Sequence, residues 1–144
     1  MFSKSSEYGI KAVIYITTQS LEGRRIKVGE VAENSDLPVA FTAKLLGILV
    51  KNNIVRSQTG PNGGFFVEAS RLEKIKLCEI VFAIDGNSVY EGCGLGLKTC
   101  DAQNPCPLHD DFVKIRNELK CMLETTSIYD LAMKLKKGES VLVR

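Results

Sequence analysis

Three cysteines and the chain's one histidine lie in a single stretch: Cys93, Cys100, Cys106 and His109, spaced C-x6-C-x5-C-x2-H. The segment from Gly92 to His109 is rich in Gly and Pro and fits neither a helical nor a strand period. Thiolate and imidazole are soft or borderline ligands, suited to an iron–sulfur cluster or to zinc. A loop with no regular geometry of its own can wrap such a centre. These four residues are the candidate sensor, and the rest of the chain must hold it and read it out.

Structural disulfides explain the cysteines poorly. Five cysteines leave one unpaired, and Met1–Ser20 has no apolar core ahead of a cleavage site, so no secretory signal is expected. The chain therefore reads as cytoplasmic, where clustered cysteines more often bind metal or sense redox state. A cluster-free thiol switch is one alternative. A small zinc-binding interaction module is another, although x6 and x5 are looser than the CxxC knuckles of structural zinc sites. Cys78, on the apolar stretch Leu77–Ile84, and Cys121 read as small core or interface residues. An enzyme is not expected. The one histidine falls in a ligand set, and no phosphate-binding glycine loop or hydrolase motif occurs.

The 144 residues suffice for one real core. No apolar run approaches the ~20 residues of a membrane span. Net charge is only +2, but its distribution is uneven. From Leu37 through Val67 there is no acidic residue, while Lys44, Lys51 and Arg56 fall inside that window. An acid-free stretch in a chain with 17 acids suggests a face that meets something anionic.

Ser5 or Ser6 is placed to cap a first helix ending near Ser20, with Gly9, Ala12, Val13 and Ile16 on one face. Val28, Val31 and Ala32 predict a short second helix, broken at Asn34-Ser35-Asp36. Pro38 suits a first helical turn, and Phe41, Leu45, Ile48, Leu49 and Asn52 mark a third helix. Two short helices across a tight turn form a helix-turn-helix pattern. The next segment, Ile54–Val67, carries two β-prone runs around Gly60-Pro-Asn-Gly-Gly64 and predicts a hairpin. The expected fold is mainly α with a small β-hairpin wing, a winged helix-turn-helix followed by a long dimerisation helix. A further helix is expected over Leu72–Ile84. From Asp110 to about Glu124, Phe112, Ile115, Leu119 and Met122 form a narrow seam suited to pairing with a second copy. Ser127 is placed to cap a short last helix, followed by a loose Lys-rich tail. The organisation read from this is 1–86 winged helix-turn-helix, 87–109 cysteine-rich cluster-binding loop, and 110–144 dimerisation helix and tail.

That order of elements resembles the Rrf-two family of bacterial transcription regulators, and within it the iron–sulfur-sensing IscR and NsrR types. The markers are Ser6-Glu-Tyr-Gly-Ile-Lys-Ala12, Leu37-Pro38 with Lys44-Leu-Leu46, Gly60-Pro-Asn-Gly-Gly-Phe65, Glu79-Ile-Val-Phe-Ala-Ile-Asp-Gly86 and Cys106-Pro-Leu-His109. The resemblance implies a homodimer on a two-fold-symmetric DNA operator, with the third helix in the major groove and the wing at the minor groove. The implied helix positions are Pro38, Val39, Ala40, Thr42, Ala43 and Lys44, where small residues permit close approach and Thr42 could bond a base edge. Arg56, Ser57, Gln58, Thr59 and Asn62 belong to the wing. Lys4, Lys44 and Lys51 are candidate phosphate contacts. Ala43 stands where IscR-like proteins carry a base-reading glutamate, and Thr59 where they carry a wing arginine. The operator is therefore expected to differ, and minor-groove insertion to be lost or passed to Arg56.

The same resemblance implies an iron–sulfur cluster on Cys93, Cys100 and Cys106. The fourth ligand is His109 in the IscR type, with a 2Fe–2S centre, or a carboxylate of the partner's first helix in the NsrR type, with a 4Fe–4S centre. Glu7 is the matching position for the latter. The 2Fe–2S reading is favoured, and protein purified in air is expected to be able to lose the cluster. Cluster binding would order the loop beside the dimer helix and alter the fit of the two winged helices to DNA.

Overall fold

A computed structural model of the chain describes residues 2–144; Met1, the first residue of the segment read for a secretory signal, lies outside them. The first helix, α1 (Lys4–Ser20), buries Gly9, Ala12, Val13 and Ile16 along the stripe the periodicity predicts. Its cap is Ser3, not Ser5 or Ser6. Ser3 Oγ accepts the Ser6 N–H at 3.0 Å. Ser6 is buried, and its hydroxyl donates to Asp85 at 2.7 Å. α2 (Val28–Ser35) ends at Asp36, which turns the chain in the left-handed region at φ 54°. α3 (Val39–Lys51) follows at once. Pro38 is its N-cap, not a first-turn residue; ψ 132° keeps it extended, and its carbonyl takes the first helical N–H from Thr42.

The wing is the antiparallel pair β1 (Arg56–Gln58) and β2 (Gly64–Phe66), in the register Arg56↔Phe66, Ser57↔Phe65 and Gln58↔Gly64. Ile26, between α1 and α2, bridges to the other edge of β2 by exchanging backbone hydrogen bonds with Phe65 at 3.1 and 2.7 Å. Gly64 is required there. Its φ is +146°, and a Cβ would lie 2.7 Å from the Ile26 carbonyl oxygen.

The helix expected over Leu72–Ile84 begins only at Leu77. Ala69–Arg71 form a 3₁₀ turn, and α4 spans Leu77–Asp85. The physical reason is backbone pairing. Ile75 O accepts from Ile128 N and Leu77 N donates to Thr126 O, both at 3.0 Å, so these groups bond across the molecule instead of within a helix. Glu79 then bonds the Lys76 N–H at 2.9 Å and starts the helix. A short α5 (Ser88–Glu91), unexpected from the sequence, precedes the cysteine loop. α6 (His109–Thr125) and α7 (Ile128–Lys136) complete the chain, and Ser127 caps α7 through the Asp130 N–H as expected.

One core joins these elements. α1 lies at its centre, packed by α2, α3, α4 and α7. The expected α6 seam divides. Leu119 turns inward with Leu123, which the seam omitted, while Ile115 and Met122 stay 48% and 44% exposed. Half of α6 therefore closes its own domain. Among the described residues, no helix is long and apolar enough to cross a membrane. Because Leu123 is fully buried, Leu123→Ala is expected to cost about 2–5 kcal/mol by urea denaturation. Ile115→Ala, at an exposed position, should leave the midpoint near wild type when measured at high dilution.

Candidate sensor loop and nucleic-acid interface

The structure brings two of the four sensor residues together. Cys100 Sγ lies 3.4 Å from His109 Nδ1. Polar backbone groups of Leu95 and Leu97, then the Cys106 side chain, draw the Cys93 thiol below its ordinary pKa. Among the described residues, no three His, Cys, Asp or Glu side chains converge on a single metal ion. The donor chemistry nevertheless fits an iron–sulfur group. Three thiols and an imidazole share one loop.

The loop from Gly92 to Leu108 has no helix or strand, so its order is borrowed. Arg116 of α6 is the main anchor. Its guanidinium donates to the Tyr90 carbonyl at 3.2 Å, the Gly92 carbonyl at 2.7 Å and Cys100 Sγ at 3.1 Å. Gly94 sits on the Phe112 ring so closely that a Cβ would overlap it. Asp101 closes a local turn by accepting from Gln103 N at 2.9 Å and Asn104 Nδ2 at 3.0 Å. These bonds hold its carboxyl below the usual range. Arg116 and the Asp101 turn were missed in the sequence, and Phe112 was expected in the α6 seam and not under the loop. Arg116 stands seven residues after His109, two helical turns along the same face, which was a readable signal.

The remaining cysteines lie apart from this cluster. Burial, then Glu79 and Glu124, pushes the half-buried Cys78 thiol up. Cys121 is exposed, not a core residue. Glu7 lies on α1 and pairs with Lys4 at 3.3 Å.

The expected DNA-facing positions are exposed, with one exception. Pro38, Val39, Ala40, Ala43 and Lys44 form the open face of α3's first turns, and Lys51 stands at its end. Thr42 does not join them. It is fully buried, and its Oγ1 donates to the Pro38 carbonyl at 2.8 Å. The hydroxyl secures the helix start and has no reach to a base edge. On the wing, Ser57, Gln58, Thr59 and Asn62 are exposed, while Arg56 is held by Glu68 at 3.0 Å. Arg25 and Lys27, absent from the sequence expectation, reach this same wing. Arg25 bonds Gln58, and Lys27 Nζ donates to the Gly60 carbonyl at 2.8 Å. Their signal was the alternation Arg25-Ile26-Lys27, polar–buried–polar, which is a strand pattern.

A helix-turn-helix with a hairpin wing, one recognition-helix face free and a ligand-rich loop beyond it define a winged-helix transcriptional regulator. Comparison with known proteins identifies the family. The family described as Iron-dependent Transcriptional regulator (Rrf2) matches residues 2–134, and the chain belongs to it. A protein of Aquifex aeolicus (strain VF5), named as an HTH-type transcriptional regulator, is 31% identical over 91% of this chain and 90% of its own length. IscR of Photorhabdus laumondii is 23% identical, over 90% of this chain and 77% of that protein. Among solved structures, CymR of B. subtilis, described as the global cysteine regulator, superposes with a TM-score of 0.75 at 20% identity, over 92% of this chain and 96% of that one. T. potens IscR gives 0.74 at 18%, over 98% and 92%. The chain is thus a transcriptional regulator that binds DNA through its winged helix.

The thiol environments set an order of reactivity. A lowered pKa keeps Cys93 as thiolate down to lower pH, so its alkylation should level off at lower pH than that of an ordinary thiol, about 8.5. Cys78 should need higher pH. Mass-resolved iodoacetamide labelling of the metal-free protein across pH checks this. Cys93→Ser should remove the low-pH phase.

Proposed function

We propose that the chain is a homodimeric regulator that senses iron–sulfur status, oxygen or redox state, or nitric oxide through a labile cluster on Cys93, Cys100, Cys106 and His109. The observation that carries this reading is that one loop holds three thiols and the imidazole, with Cys100 Sγ 3.4 Å from His109 Nδ1. Two protein donors per iron is what a 2Fe–2S cluster takes, so that type is favoured over 4Fe–4S. When bound, the cluster would supply a centre whose charge and integrity change with the chemical signal. Glu7 of a partner's α1 is the alternative fourth donor.

The protein's own residues would transmit the change. Arg116 and Phe112 hold the loop to α6, and Leu119 and Leu123 tie α6 to the core that α1, α3 and α4 share. A loop ordered differently would shift α6 against that core. Ile115 and Met122 of α6, with Phe82 of α4, leave apolar area outward that suits a second copy. In such a dimer the α6 shift would reset the spacing of the two α3 helices, and so the fit to a two-fold-symmetric operator. Pro38, Val39, Ala40, Ala43 and Lys44 would face the major groove. Lys4, Lys51 and the wing residues Arg56 to Thr59 and Asn62 would meet the backbone and minor groove.

A second reading has its own support. Cys93 has a lowered pKa to which the Cys106 side chain contributes, an arrangement suited to a reversible thiol switch without a cluster. The fold likeness to a cysteine regulator is compatible with that.

Anaerobic purification followed by iron, sulfide and visible spectra decides between them. About two irons and two sulfides per chain are expected. Cys100→Ala should lose both, together with any cluster-dependent step in DNA affinity, while keeping its helical circular dichroism. Four of each would direct attention to Glu7. An iron-free protein whose DNA affinity changes on mild oxidation would replace the cluster reading with the thiol switch. Ile115→Asp should shift the sedimentation mass from dimer toward monomer.

A further inference from the structure

We propose that the connection between α1 and α2 is part of the DNA interface, and that Arg25, assisted by Lys27, is the wing's principal ligand for a DNA phosphate. The proposal stands on the DNA-binding winged helix alone and is independent of the cluster.

The wing sheet has two faces. Ile26 pairs with Phe65 on one face and is fully buried there, while Ser57, opposite Phe65 in the register, is exposed. Arg56, Gln58 and Phe66 share the outer face by the register Arg56↔Phe66 and Gln58↔Gly64. Because Ile26 bridges to the edge of β2, its neighbours Arg25 and Lys27 project to the opposite side from its buried side chain. The Arg25 guanidinium lies 4.6 Å from the centre of the Phe66 ring and bonds Gln58. Lys27 bonds Gly60 at the tip. Between them opens a cleft of about 450 Å³, lined by Gly23, Arg25, Lys27, Pro61, Asn62 and Gly63.

Charge accounting then separates the cations. Arg24 is paired with Glu30 at 3.0 Å and Arg56 with Glu68 at 3.0 Å. Among the described residues, neither Arg25 nor Lys27 has a carboxylate partner. An exposed guanidinium stacked on an aromatic ring and tied to an amide is already ordered. It therefore loses little entropy on meeting an anion and keeps donors free for it. The field is continuous with the acid-free segment Leu37–Val67 that carries α3 and the wing. A phosphate of the duplex held by α3 is the anion that this position meets. Arg56, already neutralised, contributes less.

The test measures affinity by fluorescence anisotropy over a salt series. It uses a duplex selected from a random library by the wild-type protein, and an unrelated duplex of equal length. Arg25→Gln removes the charge while keeping a planar group for Phe66 and Gln58. It should weaken both duplexes several-fold and reduce the slope of log K against log salt by about one per chain. Arg25→Lys should restore most of the slope, and Arg24→Gln should change neither quantity. Arg56→Gln should lose less than Arg25→Gln. Wild-type affinity and slope in Arg25→Gln would overturn the proposal, as would a larger loss in Arg56→Gln. Thermal melting of each variant separates a lost contact from a loosened wing. An affinity loss in Arg25→Gln with an unchanged salt slope would count against a phosphate contact.

Discussion

Everything in this molecule leans on the burial of α1. Ala12, Val13 and Ile16 are wholly removed from water, and the helices on either side of them do different jobs. α2 and α3 form the helix-turn-helix, while α4 packs on α6, which follows the cysteine loop. Gly9 lets α4 come so near that a Cβ there would collide with Ile84. At the helix start, Ser3 and Ser6 both donate to Asp85 at the end of α4. Close packing of this kind transmits displacement because it leaves no slack to absorb it.

The sensor loop follows the opposite rule. It has almost no burial of its own and little internal backbone bonding, so its shape comes from a few borrowed contacts. Arg116 ties it to α5, bonding the Gly92 carbonyl and the Cys100 sulfur of the loop and the Tyr90 carbonyl of the helix. Segments held by so few interactions lie at the low-stability end of a structure, where a bound group or an altered thiol can change the balance. A stiff core and a lightly tethered loop therefore stand side by side in one chain.

The wing shows a similar economy. Its two strands are three residues each, too short to stand alone. Ile26 bridges to the other edge of β2, and Gly64 makes room for it. Lys27 then fixes the tip from the same connection. A loop between two helices thus becomes part of the sheet and brings its charges to the wing.

Much of this was legible in the sequence. Helical periodicity located α1, α2, α3 and α6, and glycine placement marked the hairpin, because these features depend on residues near one another along the chain. The irregular cysteine loop was legible for the same reason. Helix starts were less so. Ser3 displaced Ser5 and Ser6 as the cap because Ser6 was drawn to Asp85, a residue far along the chain. The helix expected from Leu72 began at Leu77 because Ile75 and Leu77 pair their backbones with Thr126 and Ile128. Thr42 sat in the right helix but on its buried side. The sequence by itself determined the elements, their order and the chemistry of the donor set. Tertiary structure alone decided which half of α6 is buried, that Arg116 reaches Cys100, and that Arg25 reaches the wing. Those are contacts between residues distant in sequence, chosen by packing geometry and not by any local preference.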